Sequence, residues 1–410
     1  MAHITKCRFC NKTTLEPYLD LGFTPHADRF PTLEQLEKPE LYHPLKVMMC
    51  KNCGLHQLSY TVDPKFLYQE DYLYESSITK TGVSHYHSFA ESVTKKFDLT
   101  KKDLVVDVGS NVGVLLKGFK NQDVKILGVD PAKNIAAIAN KNGIRTIPDF
   151  FVSHVAQTAR KKYGPAKIIV GTNVFAHIFD HHIFMKAVKI LLAKDGVFIF
   201  ESPHLSHLIQ NLEYDTIYHQ HLLYLSLKPV VQFFKSHGME VFDVETYPIH
   251  GGSFRVFIGN RDVHKVQLSV ARMLKSEKKG GIYFIPKLKK FGKKVHQHRQ
   301  KLMNLLTDLK RRGKKIAIVS TPAKGMTLLN FCRIGPEHVE FATEKSKLKI
   351  GRFTSGTHIP IFPDSELLKR KPDYALLLAW NFAPEIMRGL SEYKKKGGKF
   401  IIPIPKPKIV

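Results

Sequence analysis

A chain of 410 residues is too long for one hydrophobic core, which stops growing at about 250–300 residues, so two or three domains are expected. With 43% hydrophobic and 24% charged residues it is globular, and its longest apolar runs, such as "YALLLAW" (Tyr374 to Trp380), fall short of the roughly 18 residues a membrane-spanning helix needs. The formal charge of +27, from 63 basic and 36 acidic side chains, favours acidic partners such as nucleic acid, anionic membrane or phosphorylated small molecules.

The opening "MAHITKCRFC" has no apolar core of a signal peptide, so a cytoplasmic protein is expected. Residues 1–65 carry four of the five cysteines as "CRFC" (Cys7, Cys10) and "CKNC" (Cys50, Cys53), separated by 39 residues. Four thiolates in two tight pairs are what tetrahedral Zn²⁺ takes, with no position left open for catalysis. Disulfides are disfavoured in a reducing compartment, and a redox pair does not normally occur twice. Cys332 reads as an ordinary buried thiol. Between the knuckles, "DLGFTPHADRFP" reads as a loop.

The aromatic-rich "FLYQEDYLYESS" leads into an amphipathic helix with His85, Phe89, Val93 and Phe97 on one face. Residues 66–260 then alternate strands with helices: "LVVDVG", "KILGVD", "IRTIP", "AKIIVGTNVF" and "GVFIFES" are the strands, separated by helices such as "NIAAIANKNG" and "HHIFMKAVKILLA". A helix, "KPVVQFFKSHG", and a β-pair, "MEVFDVETYP" with "GGSFRVFIGN", close the unit. This pattern predicts an α/β fold with a doubly wound, mainly parallel sheet and an antiparallel edge.

Between Arg261 and Lys315 there are 18 Lys and Arg against 3 acids, with Val295, Leu302, Leu305, Leu306 and Leu309 at helical spacing. Residues 261–311 read as a helical connector with a lysine-rich wet face. Nucleic acid is disfavoured as a partner because no basic segment is interleaved with aromatic stacking residues. Residues 312–410 restart the alternation with "KKIAIVST", "GMTLLNFC", "HVEFATE", "YALLLAW", a helix through "APEIMRGLSEYKKKGG" and "KFIIPIP". They predict a second, smaller Rossmann-like domain.

"VVDVGSNVGVLLKGF" places Gly109 and Gly113 in a strand-to-helix turn, where glycine lets a ligand approach the backbone and the helix start favours electronegative groups. The pattern is G-x-N-x-G, with Asn111 at its centre, and not the dinucleotide G-x-G-x-x-G. Asp130 ends the next strand about 20 residues on, placed for a ribose diol. Asp107, just before the turn, suits a methionine-type ammonium. This combination resembles the motif I and motif II regions of class I S-adenosylmethionine (SAM) methyltransferases. Asn173 and His177 follow the third strand, beyond the carboxyl ends of the sheet where such ligands lie. The run "YDTIYHQHLLY" (214–224) is too polar for an ordinary core and is a candidate site.

Taken together, "CRFC", "CKNC", "YLYESS", "DVGSNVG", "NVFAHI", "YDTIYHQH", "HGGSFRV", "PAKGMTLLN", "GRFTSGTHIPI" and "LLLAWNF" resemble a known family. It is the zinc-containing, SAM-dependent C-methyltransferases that act on C-3 of nucleotide-linked 4-keto-deoxysugars. The resemblance implies SAM as cofactor, structural Zn²⁺, and His221 as the base that takes the C-3 proton. A neutral imidazole suits that task near pH 7. Tyr218 and His177 would donate hydrogen bonds to the developing enolate, His219 would point away and be structural, and Tyr72 with Tyr74 would close over the sulfonium. Lys324, Arg352, His358 and Asn381 would hold the diphosphate and nucleoside, with Tyr214, His250 and Ser253 lining the acceptor cleft. A monomer or weak dimer is expected.

Two departures from the family pattern stand out. Gln220 occupies the usual glutamate position, and an amide can orient an imidazole but cannot take a proton, so activity is expected to be slower or the acceptor different. In "VSTPAKG" the glycines usual before the lysine turn are missing, so the turn is expected to differ in shape. An O- or N-methyltransferase and a non-catalytic binding protein are the competing readings.

Overall fold

The computed structural model describes residues 2–69 and 72–410. At its centre is a seven-stranded sheet in the order Met239–Tyr247, Ser253–Asn260, Leu192–Pro203, Ala166–Thr172, Leu104–Val108, Lys125–Val129, Thr146–Ile147. The last five run parallel, and Ser253–Asn260 runs antiparallel to both its neighbours. Helices cover a parallel sheet on both faces, so its strands need apolar side chains on both sides. Accordingly Leu104–Val108 is buried at every position, with Asp107 its one polar residue. From this strand the chain winds outward one way to Thr146–Ile147, then crosses to Ala166–Thr172 on the other side. The reversal opens a crevice beyond the carboxyl ends of Leu104–Val108 and Ala166–Thr172.

The expected helix forms over Lys80–Lys96, but its buried stripe is Tyr86, Phe89, Ala90 and Val93. His85 leaves the stripe to meet Glu201, 2.6 Å away. A further helix, Ser153–Tyr163, buries Val155, Ala156 and Ala159 beneath a polar surface that hides its period from the sequence.

The cysteine module forms a second sheet, in the order Leu223–Tyr224, His56–Leu58, Tyr42–Cys50, Leu15–Pro25. The first half of the expected loop "DLGFTPHADRFP" is therefore the end of strand Leu15–Pro25, paired with Tyr42–Cys50, and only its second half is irregular. The module is not freestanding. Its fourth strand, Leu223–Tyr224, comes from the candidate run 214–224, and Phe9 stacks on Phe233 with ring centroids 4.2 Å apart.

The basic connector is two helices, Leu268–Gly280 and Ile285–Arg311. The second buries Leu288, Phe291, Val295, His298, Leu302, Leu306 and Leu309, a stripe at helical spacing, with Leu305 at its half-buried edge. Gly292 allows close approach, because a Cβ there would lie 2.8 Å from the Tyr18 carbonyl. The helix is thus packed between the cysteine module and the C-terminal unit, with its lysines outward. That unit is a six-stranded sheet ordered Ile361–Pro363, Ala342–Glu344, Ile316–Val319, Tyr374–Leu377, Lys399–Ile402, Lys408–Ile409. Its last strand is antiparallel, and the helix expected over 383–398 breaks into Ala383–Gly389 and Ser391–Lys395. Among the described residues no helix is long and apolar enough to cross a membrane.

Candidate functional site

Cys7, Cys10, Cys50 and Cys53 bring their sulfurs within 4.8 Å of one another, with Cys7 3.5 Å from Cys53 and Cys10 3.6 Å from Cys50. A metal with ligand bonds of about 2.3 Å in a tetrahedron sets its sulfurs about 3.8 Å apart, and these thiols stand close to that spacing without being joined to one another.

In the central crevice, Gly109 (φ 69°) and Gly113 (φ 84°) both take left-handed backbone. A Cβ on Gly109 would come 2.4 Å from Val174, and one on Gly113 would come 2.5 Å from Ile144, so the turn admits no side chain at either place. Asp107 is buried, and its Oδ1 has no partner among the described residues. Burial, with the charge of Asp130, pushes its carboxyl well above the ordinary range. Asp130 accepts the backbone N–H of Asn111 at 2.8 Å and of Ala132 at 2.9 Å, so its first task is to shape the turn. Asn111 donates its side-chain amide to the Tyr74 carbonyl and accepts from the Ser76 N–H. Its side chain ties segment 74–76 over the turn, so both of its polar atoms are engaged by the protein itself. Asn134 holds the Tyr72 carbonyl at 2.8 Å. Tyr72 is half-buried, and Tyr74 lies exposed at the crevice mouth.

Next to the crevice a narrow pocket is lined by Asn173, His177, His204, Thr216 and His221, among others. His221 is oriented at both ring nitrogens. Nδ1 lies 2.8 Å from the Thr216 carbonyl, which can only accept, so Nδ1 carries the proton and Nε2 is left with its lone pair. Tyr218 donates its hydroxyl to that Nε2 at 2.7 Å. Burial, and then the neighbouring His177, hold His221 well below the ordinary histidine range. His177, its ring centroid 4.7 Å away, is pulled down to about 4 by burial, and its Nε2 has no partner among the described residues. Burial, and the charge of Asp28, keep the Tyr218 phenol well above its ordinary value and therefore protonated.

The segment is not extended. Tyr214–Thr216 is a short 3₁₀ turn, and the His221 N–H closes a further turn on the Tyr218 carbonyl. His219 nevertheless points away, buried with its ring edge-on to His43. Gln220 is also buried and donates to Asp28 Oδ2 at 3.3 Å.

On the acceptor side, Lys324 opens helix Ala323–Cys332, donates to Asn381 Oδ1 at 2.5 Å and lies 3.9 Å above the Trp380 ring. Burial lowers its pKa to about 8 against the pull of Asp215 and Glu213. Burial raises Glu213 to about 7, and Asp215 accepts the Trp380 indole N–H at 2.6 Å. His250 faces the same group across Phe382, ring centroids 6.0 Å apart, and burial takes it down to about 4. In the turn before Lys324, Ser320 adopts φ 65°, the conformation glycine favours. Thr321 is clamped by Glu344 at 2.8 Å through both its N–H and its hydroxyl. Side-chain bracing thus holds a backbone conformation that glycine favours, without a glycine.

Four expected acceptor residues need correction. Tyr214 is fully buried, with its hydroxyl 3.0 Å from His298 Nδ1 and 3.4 Å from the Cys332 sulfur. It joins the long connector helix to the C-terminal unit. Ser253 is buried in its strand and donates to the Ile249 carbonyl at 3.0 Å. Arg352 donates to the Phe30 carbonyl at 3.2 Å and His358 contacts Glu40 at 3.0 Å, so both side chains engage the cysteine module.

Three domain families match the chain in order: a zinc binding domain over residues 7–68, a methyltransferase domain over residues 84–244 and a C-methyltransferase C-terminal domain over residues 248–405. The chain is similar to C-methyltransferase NovU of Streptomyces niveus, at 36% identity over 408 residues, covering 99% of this chain and 97% of that one. The chain belongs to the zinc-containing, SAM-dependent C-methyltransferase family. Solved structures resembling this C-methyltransferase include the plantazolicin methyltransferase BpumL with SAH, at 15% identity and TM-score 0.35, covering 44% of this chain and 86% of that one. Another is a SAM-dependent methyltransferase from Clostridium acetobutylicum, at 13% identity and TM-score 0.34, covering 43% and 92%.

The residues of this C-methyltransferase fit both groups it uses. The four thiols suit structural Zn²⁺. The unpartnered Asp107 Oδ1 beside a turn with no room for side chains suits the ammonium of SAM, whose cation would return Asp107 to its charged form. Sequence reasoning passed over Asp28, His204, Glu213, Asp215, Thr216 and Trp380. His204 is held by Glu277 at 2.8 Å, and Asp215 lay in plain view within the "YDTIYHQH" run.

Proposed function

We propose that this C-methyltransferase removes the C-3 proton of a nucleotide-linked 4-keto-deoxysugar and methylates the resulting enolate carbon. The observation that carries the reading is His221: its Nδ1 proton is fixed by the Thr216 carbonyl, its Nε2 lone pair faces Tyr218, and a second neutral histidine lies beside it. A base held neutral at pH 7 can accept a proton, and a carbon acid next to a ketone needs such a base. The negative charge that develops on the acceptor offsets the burial that keeps the imidazole neutral. Tyr218, kept protonated, can turn its hydroxyl from Nε2 to the enolate oxygen as charge grows there, and His177 Nε2 is the second polar group free to engage it. SAM, when bound, supplies the electrophilic methyl group that this carbon accepts.

The anionic end of the acceptor is assigned to Lys324 and Asn381. They lie beyond the carboxyl ends of Ile316–Val319 and Tyr374–Leu377, where the strand order of the C-terminal sheet reverses. The strongly basic composition suits a diphosphate.

The test is incubation with methyl-labelled SAM and dTDP-4-keto-6-deoxyglucose, followed by NMR of the product. Transfer to C-3 is expected. Transfer to C-5, the other carbon acidified by the ketone, would move the assigned position, while alkali-stable transfer to oxygen or nitrogen would overturn the carbon-acid mechanism. Replacing His221 by Asn should abolish solvent exchange of the proton beside the ketone and leave SAM affinity unchanged.

A further inference from the structure

Asp28 is an acid where acids are rarely tolerated. It is buried, and a carboxylate in that position normally has a cation or several donors. Its partner here is an amide, the Gln220 Nε2 at 3.3 Å. A carboxylate only accepts, so Gln220 must present Nε2 to it and turn Oε1 the other way. Neither Asp28 Oδ1 nor Gln220 Oε1 has a partner among the described residues, and both are buried. Two acceptors side by side therefore want donors, in molecules where about nine in ten buried polar groups are satisfied.

Their surroundings say where those donors come from. The charge of Asp28 bears on the phenols of Tyr68, Tyr72, Tyr74 and Tyr218. Tyr68 stacks on His177 with centroids 6.4 Å apart, and Tyr218 bonds to His221. Gln220 directly precedes His221 in the chain, so its bond to Asp28 brings the carboxylate to the His221 side of the pocket. Its loop is pinned just beyond Asp28, by Arg352 on the Phe30 carbonyl and by the Phe353 N–H on the Pro31 carbonyl at 2.9 Å.

We propose that Asp28 of the zinc module, paired with Gln220, accepts a hydrogen bond from an acceptor hydroxyl and so fixes the sugar ring against His221. The inference rests on the reading of the acceptor as a keto sugar, whose ring hydroxyls are the donors that its carbonyl lacks. A hydrogen bond to a carboxylate is about twice as strong as one between neutral groups, so the pair discriminates for the hydroxyl and for ring orientation together. The zinc module then contributes a residue to the acceptor site besides holding strand Leu223–Tyr224.

The experiment uses full-length, zinc-loaded enzyme with labelled SAM and dTDP-4-keto-6-deoxyglucose, comparing Asp28→Asn, Gln220→Glu and the double variant. Asp28→Asn is expected to raise the acceptor KM by about tenfold to a hundredfold, the size of one lost charged hydrogen bond, with SAM KM, zinc content and melting temperature unchanged. Gln220→Glu sets two carboxylates against each other and also weakens the acceptor. The double variant restores one carboxylate and one amide and recovers most of kcat/KM. An unchanged acceptor KM in Asp28→Asn overturns the inference. So does a double variant no better than the worse single one, or loss of zinc or early melting in Asp28→Asn, which would make the role structural. If the wild type transfers no methyl group to this acceptor, the proposed function fails and this inference with it. If the wild type turns over and the variants behave otherwise than expected, only the role of Asp28 is lost.

Discussion

Above a pH of about 8 the enzyme is expected to lose its hold on the acceptor while keeping its hold on SAM, because burial lowers Lys324 to about 8. A lysine whose folded pKa is depressed loses its charge earlier than a free one as pH rises, so the effect lies on the alkaline side. At pH 7 roughly nine-tenths of Lys324 is charged, and at pH 9 roughly one-tenth. The acceptor kcat/KM reports ionisations of the free enzyme. It should therefore fall about tenfold per pH unit beyond the midpoint, while the SAM KM stays level. Lys324→Met should lower the acceptor kcat/KM at pH 7 by about tenfold to a hundredfold, one charged hydrogen bond, and should abolish the alkaline limb. Lys324→Arg keeps its charge across the range and should also lack the limb. The assay is initial-rate methyl transfer in constant-ionic-strength buffers with each substrate varied in turn. A wild-type acceptor kcat/KM that is flat from pH 7 to pH 9.5, or a Met variant that keeps the alkaline limb, would refute the assignment of Lys324 to the acceptor's anionic end.

Arg255 is buried and bonds Glu201 at 2.8 Å and 3.0 Å, with its guanidinium 3.7 Å from the Phe89 ring. Arg255→Met leaves the buried Glu201 with His85 as its remaining partner, at a cost of up to about 3–5 kcal/mol. The melting temperature should fall by on the order of 10 °C, and a drop within 2 °C would contradict that reading. Ser320→Gly removes a left-handed strain of about 1 kcal/mol and should raise the denaturation midpoint, whereas Ser320→Val should lower it; the reverse order would show that the φ of 65° is not what limits the turn. Chelation of zinc, or Cys50→Ser, should unseat strand Leu223–Tyr224 along with the knuckles and abolish methyl transfer. Zinc content measured by atomic spectroscopy alongside activity checks this, and full activity in metal-free protein would be incompatible with it.

Much of this architecture was legible because it depends on short-range pattern. The two knuckles, the strand-to-helix turn at Gly109 and Gly113, and the alternation of apolar strands with amphipathic helices are all set by spacing and period, and the coordinates place them where the pattern did. Tyr214 misled because a tyrosine beside a candidate base looks the same in sequence whether its hydroxyl faces a pocket or, as here, His298 and Cys332. The lysine turn was legible only in its lack of glycine, since Glu344 bracing Thr321 cannot be read from that absence.

By itself the sequence determined the zinc ligands, the α/β layout and the short run that holds the proposed base, since each follows from which residues stand a few positions apart. Only the tertiary structure decided that His221 is neutral at Nε2, that Asp28 faces Gln220, and that Arg352 serves the zinc module's loop. Those facts depend on Leu223–Tyr224 pairing with His56–Leu58 and on the cysteine module docking against Phe233. Such long-range registers are fixed by burial of the whole chain at once, and no local pattern carries them.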